Sequence, residues 1–151
     1  MIVSGCDVYM IEPAYDSRDR MIGQYDVEEY SETYREWIYY SIHISKAASR
    51  EKVYIDNFYG SNISVYAFVN YDRITIPYQV VKGYEIEGAG TFQDYYLNLH
   101  YSVRDIYNNS YTDFCETEAR RYWLLCNVLS AATMNYCKND VAFLFHGRPV
   151  I

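Results

Sequence analysis

Hydrophobic and polar residues alternate with a period of two from residue 22 to residue 104. This period is typical of β-strands that bury one face, because successive side chains point to opposite sides of a sheet. Each apolar row alternates with polar neighbours, as Tyr25 and Val27 do with Asp26 and Glu28. The pattern predicts seven strands, centred on Tyr25–Val27, Ile38–Ile44, Val53–Ile55, Ile63–Val69, Ile74–Ile76, Tyr84–Ile86 and Leu97–Val103.

Short connections with turn-forming residues separate these strands. They include Gly60-Ser61-Asn62, Asn70-Tyr71-Asp72, Lys82-Gly83 and Gln93-Asp94. Links of hairpin length favour antiparallel pairing, since parallel strands need crossovers of about a dozen residues. An antiparallel meander of seven or eight strands hides its apolar face by closing as a barrel or by folding into a sandwich. Gly88 and Gly90 suit a bend or bulge at a barrel corner, so we expect the barrel, with the β-sandwich as the alternative.

Composition and charge then narrow the function classes. Half of the 151 residues are hydrophobic, 22% are charged and 20 are tyrosine. Tyrosine suits strands at half-buried surfaces, where the ring packs and the hydroxyl meets water. The formal net charge of −7 argues against nucleic acid as a partner and against docking on anionic lipid headgroups.

The first six residues predict a lipid anchor. Ser4 and Gly5 precede Cys6 and follow an aliphatic residue, an order that resembles the bacterial lipobox, in which the cysteine receives the lipid. The polar stretch to residue 21 reads as a tether, and we expect the export signal to lie upstream of Met1. The alternative for Cys6 is a buried or free cysteine near the terminus.

Motifs of enzymatic chemistry are missing from the sequence. It contains no G-x-S-x-G and no H-E-x-x-H, and its cysteines form no C-x-x-C pair, so we expect no catalytic residue, no metal site and no cofactor. Five carboxylates are candidates for acid–base work, but a solvated outer face explains them better; they are Glu28, Glu29, Glu32, Glu85 and Glu87. His43 and His100 stand on polar rows, which predicts exposed strand histidines.

Two sets of side chains are candidates for ligand binding. The inward rows should line the barrel interior, and from them we predict contacts with a ligand by Tyr25, Ile42, Ile55, Val65, Ile76, Ile86, Leu99 and Tyr101. A second set of aromatic residues could stack on a sugar or an apolar ligand, although ordinary packing explains them better: Tyr39, Tyr54, Tyr66, Phe68, Tyr95 and Tyr96.

Several segments together resemble small lipoproteins of gut-dwelling bacteria. In that family an Asn-Phe step ends one strand, an Ile-Pro-x-Gln step ends another, and a Gly-x-Gly-Thr strand precedes a Leu-x-Leu-x-Tyr strand. The resemblance covers residues 6 to 121, and it implies a lipocalin-like barrel and a lipid anchor but no chemistry. The segments are Val53–Gly60, Ile74–Gln79, Gly88–Phe92, Leu97–Val103 and Thr112–Cys115.

The composition changes after Arg121, where the resemblance ends. Residues 122–137 are apolar but too few for a transmembrane helix, which needs about 20, and they are compatible with a short helix packed on the barrel. We therefore expect three parts: a lipobox remnant and tether over 1–21, a β-barrel domain over 22–121, and an apolar extension without a family role over 122–151.

The sequence thus predicts a non-catalytic lipoprotein of the cell envelope, anchored by lipid to the outer membrane. Its partners would be the membrane, through that lipid, and a small apolar or glycan ligand or a partner protein, with no nucleic acid. One alternative is a hydrolase that uses carboxylates at the barrel mouth. Another is an inhibitor or an assembly subunit that works through an exposed edge or loop.

Overall fold

The computed structural model describes residues 15–108 and 111–122, and these residues form a closed antiparallel β-barrel. Eight strands pair in sequence order, and the last strand closes the barrel by pairing with the first. Their bounds are β1 Gly23–Ser31, β2 Glu36–Lys46, β3 Lys52–Phe58, β4 Ile63–Asn70, β5 Arg73–Val81, β6 Tyr84–Gln93, β7 Tyr96–Asp105 and β8 Asp113–Arg121.

The predicted antiparallel meander and its closure as a barrel are confirmed. All seven strands expected from the alternation are present, and the eighth, β8, lies beyond the last predicted row. The predicted turns carry left-handed backbone, for example at Asn62, Tyr71 and Asp94, which such short connections require. The short helix expected after Arg121 lies outside the described residues, and the division into three parts stays a prediction.

Inward rows from all eight strands meet inside the barrel and form one hydrophobic core. Ile44, Ile55 and Leu97 are each at most 1% exposed. An eight-stranded barrel has an interior just wide enough for such side chains to fill. The core is therefore built from the same alternation that predicted the strands.

Gly88 and Gly90 lie on the inward row of β6, where β7 approaches closely. A Cβ at Gly88 would lie 2.7 Å from the carbonyl oxygen of His100, and one at Gly90 would lie 2.7 Å from the Leu99 side chain. The register irregularity is on the other neighbour, β5, between Ile76 and Gln79. The two glycines thus allow a close approach of strands beside that irregularity.

The two ends of the barrel are closed differently. We call one the capped end, because a short 3-10 helix, Ser17–Arg20, and the buried Met21 lie across it. Arg18 donates hydrogen bonds from Nη1 to the carbonyl of Ala47, in the β2–β3 connection, and to that of Lys52, the first residue of β3. We call the other the polar end; it is formed by the turns at residues 32–35, 59–62 and 82–83, together with residues 106–108 and 111–112 between β7 and β8.

Among the described residues, no helix has the length and apolar character needed to cross a membrane.

Candidate functional site

A buried cluster of polar side chains lies inside the barrel toward the polar end. Glu29 is at its centre and is 0% exposed, and Asp113 is 2% exposed. Glu29 belongs to the inward row of β1, two residues after Val27, so the alternation itself turns its carboxyl into the interior. The expectation that Glu29 belongs to a solvated outer face was wrong.

Hydroxyl groups from three other strands converge on one oxygen of the Glu29 carboxyl. Tyr40 on β2 donates to Oε2 at 2.5 Å, Thr117 on β8 donates to it at 3.3 Å, and Tyr101 on β7 donates to it as well. The hydroxyls of Tyr40 and Tyr101 are 3.3 Å apart. The other oxygen, Oε1, is buried and has no hydrogen-bond partner among the described residues. Such an atom is uncommon inside a protein, because an unsatisfied buried polar group costs free energy.

Asp113 forms a second centre next to the first, at the start of β8. Its Oδ1 accepts a hydrogen bond from the Ser31 hydroxyl at 2.6 Å, and its Oδ2 accepts one from the Tyr59 hydroxyl at 2.9 Å. The Cys115 thiol also points to Oδ2, at 3.5 Å. Ser31 in turn accepts from the backbone N–H of Tyr34, which ties the β1–β2 turn to the cluster.

Burial controls the protonation of the cluster. Removal from water raises the pKa of Glu29, the hydroxyl hydrogen bonds oppose that shift, and the charge of Asp113 adds to it. Burial also raises the pKa of Tyr101 and of Tyr40, and the charge of Glu29 raises both further. These tyrosines are therefore neutral donors, and Glu29 holds its proton to a higher pH than an ordinary glutamate.

Cys115 is not an activated nucleophile. Burial raises the pKa of its thiol, and the charges of Glu29 and Asp113 raise it further. A thiol becomes reactive when its pKa is lowered by cationic neighbours, which is the opposite situation. Its side chain is in no disulfide in the described part of the chain.

Aromatic rings form the wall of the cluster on the side of the polar end. Tyr101 packs against Phe58 with ring centroids 4.5 Å apart and against Tyr59 at 6.4 Å. Tyr59 also contacts Tyr84 at 6.4 Å, and both are only partly buried. Tyr59 stands in the β3–β4 turn with φ 57°, a left-handed conformation that few non-glycine residues adopt. The hydroxyl of Tyr59 connects these rings to the buried cluster through its hydrogen bond to Asp113.

The eight residues predicted to contact a ligand all lie inside the barrel, and all are buried. Tyr101 is the member of that set that bonds Glu29. Tyr25 lies toward the capped end, where its hydroxyl donates to the Met21 carbonyl at 2.7 Å and burial raises its pKa to about 12. The others, Ile42, Ile55, Val65, Ile76, Ile86 and Leu99, supply apolar core. Whether they contact a ligand stays a prediction, and Cys6 lies outside the described residues.

The remaining candidates are on the outer surface. Glu85 pairs with Arg104 there, and His43 and His100 are exposed, as the polar rows predicted. Two shallow depressions of about 180 and 320 Å³ lie on the outer face of β6, β7 and β8. The aromatic candidates Tyr39, Tyr54, Tyr66, Phe68, Tyr95 and Tyr96 are exposed or half-buried, and the Lys52 ammonium lies 4.5 Å from the Tyr66 ring centroid.

In the described part of the chain, no group of three or more histidine, cysteine, aspartate or glutamate side chains is placed to hold a metal ion. The cluster can therefore offer protons, hydrogen bonds and negative charge.

Neither protein-family models nor curated proteins gave a match to this sequence. The chemistry of the barrel itself therefore carries the functional argument.

Proposed function

We propose that this domain is a non-catalytic binding protein that takes a small ligand at the polar end of its barrel. The observation that carries the proposal is the fully buried Glu29 carboxyl: three hydroxyls bond one of its oxygens, and the other, Oε1, has no partner in the described part of the chain. A buried acid of this kind destabilises a fold, and clusters with strongly perturbed pKa values concentrate at functional sites.

The surroundings of Glu29 favour binding over catalysis. Glu29 and Asp113 are each held by hydroxyl donors, and the thiol of Cys115 is kept protonated. The exposed histidines stand outside the wall, so they cannot relay protons to the cluster. The two buried carboxyls lie beside aromatic rings. Small-molecule sites use a few polar groups of this kind, among aromatic side chains, to orient a ligand.

Native mass spectrometry of the full chain, purified gently from its own host, tests this proposal. We expect a bound small molecule on the wild type and on Glu28→Gln, whose substitution lies on the outer face of β1, but not on Glu29→Gln. Stripping the molecule from the wild type should lower its melting temperature, because a ligand stabilises the folded state that binds it. No adduct, together with an unchanged melting temperature after stripping, would refute a ligand-carrying role.

The second part of the proposal concerns location: the domain is held at the cell envelope, on the outer membrane, by a lipid on Cys6. The lipobox-like order of residues 3–6 and the lipoprotein resemblance of the barrel sequence support it. Metabolic labelling with a fatty acid should mark the full-length precursor and a Cys126→Ala control but not Cys6→Ala. Equal labelling of all three would remove the anchor.

A hydrolase is the second candidate, because two carboxyls with different surroundings meet inside the barrel. Acid–base enzymes use such pairs, in which one group stays protonated and the other ionised. Turnover of chromogenic glycosides or esters by the wild type and by Glu28→Gln, but not by Glu29→Gln, would support it. Equal background rates for all three proteins would leave binding as the function.

A further inference from the structure

The charge of the buried cluster indicates which class of ligand fits it. Glu29 and Asp113 both reach it, and in the described chain no lysine, arginine or histidine side chain forms an ion pair with either. The groups that face them are hydroxyls and one thiol, from Tyr40, Tyr59, Tyr101, Ser31, Thr117 and Cys115. An anionic ligand would be repelled at this position.

The unpartnered Oε1 atom of Glu29 indicates where a ligand would bond. In the carboxylate form of Glu29, Oε1 is a buried acceptor, and none of the described hydroxyls, which donate to Oε2, donates to it. A charged N–H donor meets this need best, since hydrogen bonds between an ammonium and a carboxylate are shorter and about twice as strong as neutral ones. An ammonium group would also supply the positive charge that two neighbouring carboxyls lack.

The aromatic wall suits the same group. The ring centroid of Tyr59 lies 6.4 Å from that of Tyr84 and 6.4 Å from that of Tyr101. The faces of such rings attract cations, and aromatic side chains are the usual partners of ammonium ligands. The two carboxyls and the neighbouring tyrosine rings together therefore suit an amine.

We propose that the ligand of the polar end is a small organic ammonium ion, with its N–H group on Glu29 Oε1 and its apolar part against Tyr59 and Tyr84. This inference rests on the proposed binding function and specifies its ligand class. A neutral alcohol or amide would also bond Oε1, but it would leave the two acids without a counter-charge.

Binding would release a proton. The ammonium ion displaces the proton of the Glu29 carboxyl, which leaves to solvent, so the bound state pairs one ammonium with one carboxylate. The raised pKa of Glu29 supports this exchange. Affinity should then increase with pH, by up to about tenfold per pH unit while Glu29 is protonated in the unbound protein.

The test is a calorimetric titration of the full chain with 2-phenylethylammonium chloride and, separately, with its neutral analogue 2-phenylethanol. We expect the cation to bind the wild type at least about tenfold more tightly than the alcohol, the factor that a hydrogen bond to a charged group provides. The cation should bind more tightly as pH rises from the ordinary pKa of a glutamate through the raised folded pKa of Glu29. Glu29→Gln should lose this preference, and the outer-face variant Glu28→Gln should retain it.

The outcomes separate this inference from the proposed function. Equal binding of the two probes to the wild type, or a neutral or anionic molecule carried from the host, would overturn the ammonium class while ligand binding itself stands. Binding of neither probe would also overturn it. Because the comparison of the two probes uses the wild-type protein, the result does not depend on whether Glu29→Gln folds.

Discussion

Each end of the barrel has a carboxyl group whose pKa is shifted, and the two shifts have opposite directions. At the capped end Asp16 receives two hydrogen bonds from the Arg18 guanidinium and an ion pair from Lys46, and these cations hold its pKa well below the usual range. At the polar end the described donors to Glu29 are all hydroxyls, and burial raises its pKa. The contrast follows from burial, which dominates at Glu29, and from the cationic donor Arg18, which dominates at Asp16.

This difference separates a structural end from a binding end. The capped end satisfies its charges with its own side chains, and Arg18 further ties the helix to the β2–β3 connection. The polar end leaves one carboxyl oxygen without a donor, at a cost in stability. At the capped end Arg18 and Lys46 neutralise Asp16, so a ligand would add no counter-charge there. At the polar end a ligand could donate to Glu29.

The largest effect on stability should come from Met21, the buried side chain at the capped end. Met21→Ala removes a fully buried side chain, and we expect it to lower the free energy of unfolding by about 2–5 kcal/mol, the usual range for such a cavity. Urea denaturation followed by circular dichroism measures the change. Val80→Ala, on an exposed outer position of β5, should change stability little. An equal loss of unfolding free energy in both variants would mean that the Met21 side chain does not close the capped end of the barrel.

The next effect is a pH dependence set by Glu29. Because its folded pKa is above its unfolded value, the folded state binds the proton more tightly, so stability is greatest below the ordinary pKa of 4.5 and falls as pH rises toward the folded pKa. The slope cannot exceed about 1.4 kcal/mol per pH unit. Glu29→Gln should remove this slope from urea denaturation curves, and Glu28→Gln should keep it. An unchanged slope in Glu29→Gln would contradict the assignment.

The smallest effect should have the opposite sign and belong to Asp16. Its folded pKa is below its ordinary 3.8, so its contribution is present above that value and is lost as pH falls through the folded pKa. Asp16→Asn should therefore reduce the melting temperature near neutrality, with a difference from wild type that shrinks in acid. Asp26→Asn on the outer face is the matched control. A difference that grew in acid would reverse the comparison of the two ends.

The fold was predictable because the alternation of apolar and polar residues is strong in seven strands. β8 was missed for a physical reason that concerns the site. Its inward row is Asp113, Cys115, Thr117 and Ala119, which is small and polar where the other strands carry isoleucine, valine or leucine. The strand that contributes the second carboxyl to the cluster therefore has no apolar row by which it could be recognised.

The site was missed for a related reason. Glu29 continues the inward row of Tyr25 and Val27, so its position in the alternation could have placed it inside, but a glutamate suggests a solvated face on composition alone. Tyr40 lies two residues before the buried Ile42, so it belongs to the same row of β2. Its hydrogen bond to Glu29 depends on how β1 and β2 align, and a single sequence does not reveal that register.

One side chain, Gln79, takes the place of a peptide group in the wall of the barrel. Its amide accepts from the N–H of Tyr66 at 3.1 Å and donates to the carbonyl of Tyr66 at 2.8 Å, beside the point where β5 loses register. The closed ring of strands is thus completed there by a rotatable side chain. Amide hydrogen exchange at Tyr66 would report the rotation of Gln79, whereas exchange in the continuous β6–β7 ladder would report the opening of the barrel itself.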